Sequence, residues 1–148
     1  MKHLIKIFLD KNQKNAYNKY GIYPIKEVHI LEQFEIEFFE TDSGDCPVTE
    51  FLNGTEIKMK AKILRMIELL EKNGNTLRMP YSEPLEDGIF ELRAIMGNNI
   101  ARVLYFFVIG RKIIMTNGFI KKTQKTPRQE IETAKKYRDI YLNRLKGE

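Results

Sequence analysis

The sequence predicts an α+β protein, a small twisted antiparallel β-sheet with helices packed on one face. Three observations carry this. Apolar and acidic residues alternate in FEIEFFE (residues 34–40), a period of two that belongs to strands. Three runs rich in β-branched and aromatic residues, 88–95, 100–109 and 112–120, are joined by MGNN and IGRK, which supply the turns of an antiparallel meander. Two segments, 55–72 and 127–145, repeat apolar residues at threes and fours, the helical spacing.

Taken in order, residues 1–33 are the least legible. IKIFL reads as a possible strand and KNQKNAYNKYG as polar and turn-rich, so this part is expected to be an N-terminal extension before a folded domain at 34–148. After the strand at 34–40, DSGDCP breaks the alternation. Pro47 to Leu52 reads as a short helix with Asp45 or Cys46 as its cap and Gly54 beyond its end. The longer helix starts at Thr55, its expected cap, and stops at Asn73-Gly74. Met59, Ile63, Met66 and Leu70, together with Ile57, Ala61, Leu64 and Ile67, make its apolar stripe broad. Residues 73–88, with Pro80, Pro84 and Gly88, read as a loop before the meander. Thr126-Pro127-Arg128-Gln129 reads as a capping box opening the last helix, whose stripe is Ile131, Ala134, Tyr137, Tyr141 and Leu145. One sheet face is then covered and the other is expected to be free.

The 148 residues carry a net charge of +5, unevenly placed. Residues 1–33 hold six basic against three acidic side chains, 34–87 six against twelve, and 88–148 thirteen against five. A basic back half behind an acidic middle points to an anionic partner for one face. Cys46 is alone, which leaves no disulfide framework or cysteine zinc site within one chain. LIKIFL is short for a signal-peptide core, and no segment approaches the ~18 apolar residues of a membrane span. The cytoplasm is the expected compartment, with no membrane partner.

On the first meander strand Phe90, Leu92 and Ala94 share one face, and Glu91 and Arg93 the other. Arg102 sits early in the next strand, where it can reach the face of Arg93. Lys121 and Lys122 leave the third strand in GFIKKTQKTP, and Lys125 follows in the turn. These cations are expected to gather at one end of the uncovered face. Arginine suits a phosphate because its planar fork donates two parallel hydrogen bonds, while lysine supplies point charge. Thr123, Gln124 and Thr126 add donors for phosphate oxygens. Simpler pairings stand beside this: Arg93 with Glu91, Arg102 with an acid of the middle segment, and the lysines with solvent. No HxxxH, CxxC or phosphate-cradling glycine loop is present, and DSGD lacks the rest of a calcium loop. Ser43 and Ser82 have no histidine partner. Phosphate chemistry without a metal or cofactor, or binding alone, is the class that remains.

The strings DCPVTEFL, LEDGIFELR, ARVLYF and NGFIKKTQKTP, with EIETAKKYRDIYL near the end, resemble the phage-derived HigB-like branch of the RelE/ParE toxin superfamily over about residues 34–145. The resemblance implies a toxin of a type II toxin–antitoxin pair, with 34–148 as the toxin domain and a helix-turn-helix antitoxin as partner. It implies an endoribonuclease that cuts mRNA on the ribosome without metal, the ribose 2′-hydroxyl attacking the adjacent phosphate. Arg102 falls where such nucleases keep a phosphate-binding arginine. Lys121 or Lys122 falls near their later basic residue, and Arg93 lies on a strand that carries cations in RelE-like relatives. Arg93, Arg102, Lys121 and Lys122 are thus the candidate catalytic residues, and Glu91, Thr123, Gln124 and Lys125 the candidate substrate contacts. Two departures bear on the base. No histidine lies in the matched region, and Glu91 stands where RelE-like enzymes have lysine, so a lysine or Glu91 is the candidate. A ParE-type toxin, which binds DNA gyrase and cuts nothing, uses the same fold.

Overall fold

The computed structural model describes residues 8–9, 15–18, 21–24, 33–121 and 125–147. The chain divides into two compact units, Met1–Gln33 and Phe34–Glu148. In the first, β1 (Phe8–Leu9), β2 (Asn15–Asn18) and β3 (Gly21–Pro24) form an antiparallel sheet in that order. The polar stretch expected to be turn-rich therefore contains one short strand, β2, and ends where β3 begins.

The second unit is built on five strands: β4 (Glu35–Phe38), β5 (Ser82–Pro84), β6 (Phe90–Met96), β7 (Asn99–Val108) and β8 (Lys112–Lys121). They lie in the order β4-β8-β7-β6-β5, antiparallel except that β4 runs parallel to β8. The meander and the strand before it are as the alternation predicts. Strand β5 lies inside the stretch read as loop; three residues ending in proline carry no period.

Three helices pack on this sheet: α1 (Pro47–Asn53), α2 (Ile57–Asn73) and α3 (Arg128–Lys146). The α+β class is as expected, but the helices divide between the faces. Val48 and Leu52 of α1 and Met59, Ile63, Met66, Ile67 and Leu70 of α2 pack on Leu92, Ala94, Ala101, Val103, Tyr105, Ile113 and Met115. Ala134 and Tyr141 of α3 pack on the alternate residues Leu104, Phe106 and Ile114, with Phe39 and Ile89. The second face is therefore covered by α3 over its apolar half. The broad stripe expected on α2 is narrower: Ile57 is 84% exposed and Ala61 is exposed, while only Ile67 of that row is buried.

The two expected threonine caps also move. Glu56 precedes α2 and Pro127 precedes α3, and neither helix start has a side-chain cap bond. Thr55 instead donates to Phe51 O at 2.7 Å, and the Thr126 hydroxyl is engaged across the sheet. Two glycines are required by contact. A Cβ on Gly118 would lie 2.3 Å from the Phe51 ring, and one on Gly74 1.9 Å from the Phe34 ring. So α1 approaches β8 closely, and Phe34 closes the sheet's entry beneath the end of α2.

Candidate functional site

Strand pairing places the two arginines with no help from loops. Arg93 on β6 and Arg102 on β7 are direct cross-strand partners, and Phe119 of β8 stands opposite Arg102 on the other side. One row along, Ile95, Ile100 and Lys121 are paired in turn. Alternation then puts Glu91, Arg93, Arg102, Phe119 and Lys121 on one face, the face of α3. They occupy the end that α3 leaves uncovered by its apolar stripe.

The arginines converge on one carboxylate. Arg102 Nε lies 3.1 Å from Glu91 Oε1, and Arg93 Nε 3.5 Å from the same oxygen. The Thr126 hydroxyl donates to Glu91 Oε2 and accepts from Arg102 Nη1 at 3.2 Å. Arg102 is completely buried and Glu91 nearly so. Two guanidiniums thus share one carboxylate at this end of the sheet, where a low local dielectric strengthens each attraction. Arg93 is the member nearest solvent. Its Nη1 reaches Met79 Sδ at 3.7 Å, and its backbone N donates to Tyr81 O at 2.8 Å.

Of the simpler pairings for the arginines, Arg93 with Glu91 occurs, whereas Arg102 meets this same Glu91 and not an acid of the middle segment. The face is not the open cationic surface expected, because the carboxylate and Thr126 fill the space between the guanidiniums. Lys121 and Lys125 are exposed at its rim. Lys122, Thr123 and Gln124 lie outside the described residues. Met79 and Tyr81, both exposed beside Arg93, had no signal in the sequence. They precede a strand too short to show a period.

The lower edge of the site is held by a β-bulge. Tyr105 pairs with Met115 and Leu104 with Asn117, so Thr116 is an extra residue on β8. Thr116 Oγ1 lies 3.2 Å from Leu104 O and 2.7 Å from Asn117 Oδ1. The extra residue turns Asn117 toward α3, where its Nδ2 donates to Glu130 O at 3.2 Å and Oε2 at 2.8 Å. Asn117 and Thr126 thus fix where α3 begins over the arginines. The two tyrosines of α3 belong to packing. Tyr137 stacks on Phe39 at 4.6 Å. Tyr141 donates to Glu37 Oε2 at 3.2 Å, and burial pushes its hydroxyl above the ordinary range.

No described helix is long and apolar enough to cross a membrane. No curated protein matches the chain. Residues 50–139 match the family model described as phage derived protein Gp49-like (DUF891). That span runs from α1 through the meander to α3, and Glu91, Arg93, Arg102, Lys121 and Thr126 lie within it. The chain belongs to the phage-derived Gp49-like family, a family of RelE/ParE-like toxins.

Proposed function

We propose that this protein is the toxin of a type II toxin–antitoxin pair and a metal-free endoribonuclease that cuts mRNA on the ribosome, in the cytoplasm. The observation that carries the reading is the cross-strand pair Arg93–Arg102, whose guanidiniums meet at one point. An RNA phosphate entering there competes with Glu91 for both guanidiniums. Once displaced, Glu91 is the acceptor nearest to take the 2′-hydroxyl proton. The 2′-oxygen then bonds to phosphorus as the P–O5′ bond breaks, giving a 2′,3′-cyclic phosphate and a 5′-oxyanion that takes a proton from solvent to become the 5′-hydroxyl. Arg93, Arg102 and Lys121 stabilise the charge that grows on the phosphate oxygens. Lys122 is proposed to share that catalytic role, and Thr123, Gln124 and Lys125 are the proposed substrate contacts of the segment that follows. A helix-turn-helix antitoxin is the proposed partner.

The test is cleavage of an mRNA under translation by wild type, Arg93→Ala and Arg102→Ala. Loss of a positioned charge at a phosphate typically costs about 10²–10³ in rate. Both variants are expected to lose cleavage to that degree while remaining folded; cleavage equal to wild type removes the arginines from the mechanism.

The burial of Arg102 favours a second reading. A guanidinium held by Glu91 and Thr126 beneath the surface is what a scaffold needs, and a ParE-like toxin that binds gyrase without cutting RNA fits it. Intact translated mRNA together with blocked supercoiling selects this reading.

A further inference from the structure

Most cations of the C-terminal half are paired inside the unit. Lys112 meets Glu37, Arg128 and Lys135 meet Glu86, Arg138 meets Asp87, and Arg144 meets Asp42. Helix α2 differs. It lies on the opposite face of the sheet from the arginine site and carries Lys58, Lys60, Lys62, Arg65 and Lys72 against Glu68 and Glu71. Among the described residues, none of these five cations makes an ion pair. At about 100° per residue, Lys58, Lys62, Arg65 and Lys72 fall within an arc of about 80°, and the row runs about 21 Å along the axis. Glu68 is the one acid at its edge.

We propose that this face of α2 is a docking surface for the phosphate backbone of structured RNA, separate from the arginine site. The proposal rests on the RNA target of the preceding section. Charge complementarity selects the occupant. The row is single-signed, regularly spaced and convex, which suits a duplex read by its phosphates and shape. A helical protein segment docks through apolar anchors, and an acidic one is separated by the poly-glutamate arm of the test. The residue within the arc that would offer one, Leu69, is packed against the core. A membrane would need the helix's apolar stripe, and that stripe is buried against the sheet. The toxin would then hold structured RNA with one face and present the arginine pair from the other.

The test is binding of the full chain to a 2′-O-methyl RNA hairpin, which cannot be cut, as a function of salt. Each phosphate contact contributes roughly one unit to the slope of log affinity against log salt. K58Q/K62Q/R65Q/K72Q is expected to bind more than tenfold more weakly with the slope reduced by about four. The variant K58Q/R65Q should lose about two, and the control K136Q/K146Q, which removes equal charge from α3, should match wild type. Circular dichroism melts check that all variants fold. The proposal is overturned if wild type does not bind the hairpin, if the α2 variants bind like wild type, or if the control loses as much. Equal binding to a DNA duplex, or displacement by poly-glutamate as effective as by the hairpin, also overturns it. A wild type that binds the hairpin yet cuts no translated mRNA removes the nuclease reading and leaves this surface standing.

Discussion

Glu91 is the residue on which the site turns. Two guanidiniums at 3.1 and 3.5 Å would repel each other in a dry interior without it. Desolvating three charges is expensive, and their mutual attraction offsets that cost only while the set is complete. Removing one partner therefore does more harm than losing one contact, because the others stay buried and uncompensated. Glu91→Ala is expected to destabilise the fold by about 3–5 kcal/mol, a large part of a typical domain's total of about 5–15 kcal/mol. Glu91→Gln keeps an acceptor for the Thr126 hydroxyl and should cost less. Urea midpoints at neutral pH decide this. Equal loss in both variants would mean that the carboxylate's charge, and not the shape and acceptor that glutamine keeps, holds the cluster. The pairing was one of the alternatives legible in ELR, since strand alternation places Glu91 and Arg93 on one face. That Arg102 shares the carboxylate depends on register, which no local pattern encodes.

At the scale of elements, α3 decides what the arginine face exposes. Its first turns are tied to the loop before β6. Arg128 pairs with Glu86, Lys135 with Glu86 at 2.9 Å, and Arg138 with Asp87 at 3.1 Å. Its far end is tied by Arg144 to Glu40 O at 2.8 Å and Asp42 at 2.6 Å. The Lys135 hydrogen bond holds the Glu86 carboxyl below its ordinary value, with Arg128 adding to this, and the same bond raises Lys135. The signs follow. A lowered acid stabilises the fold above its unfolded pKa, about 4.3, and loses the effect as pH falls through the lower folded value. A raised lysine stabilises below about 10.4 and loses the effect as pH rises through the higher folded value. The tether is complete between these limits. Wild type should therefore exceed Glu86→Gln in urea midpoint at pH 7, with the gap closing as the pH is taken down toward 3. A gap that stays constant over that range would show that the tether does not depend on the charge of Glu86. Helix α3 itself was legible from its stripe, but the face it covers was read wrongly. ARVLYFFV is apolar on both parities, the mark of a strand buried on both sides. Leu104 and Phe106 were the signal that the second face was not free.

For the whole molecule, charge shows where sequence counting ends. The acidic middle and basic back half are real in composition, yet in the fold Glu37, Asp42, Glu86 and Asp87 of the middle lie against Lys112, Arg128, Lys135, Arg138 and Arg144 of the back half. Asymmetry along the chain becomes pairing across it, and the unpaired row is left on α2, inside the stretch counted as acidic. The same closure bears on the proposed division of the chain. Both core clusters and the five-stranded sheet of the second unit are made, among the described residues, from residues of that unit. Its entry is held by Phe34. The backbone N of Phe34 donates to Glu71 O at 2.9 Å, its ring meets Phe107 edge-on at 5.9 Å, and the Arg111 guanidinium lies 4.3 Å over it. A chain of residues 33–148 is therefore expected to unfold in one cooperative step at the urea midpoint of the full chain. In that shortened chain Phe34→Ala should lose about 1.5 kcal/mol, the low end for burying an apolar side chain, because Phe34 is only half-buried. A shortened chain that melts early or without cooperativity would show that residues 1–33 complete the fold, and the division at Phe34 would fall.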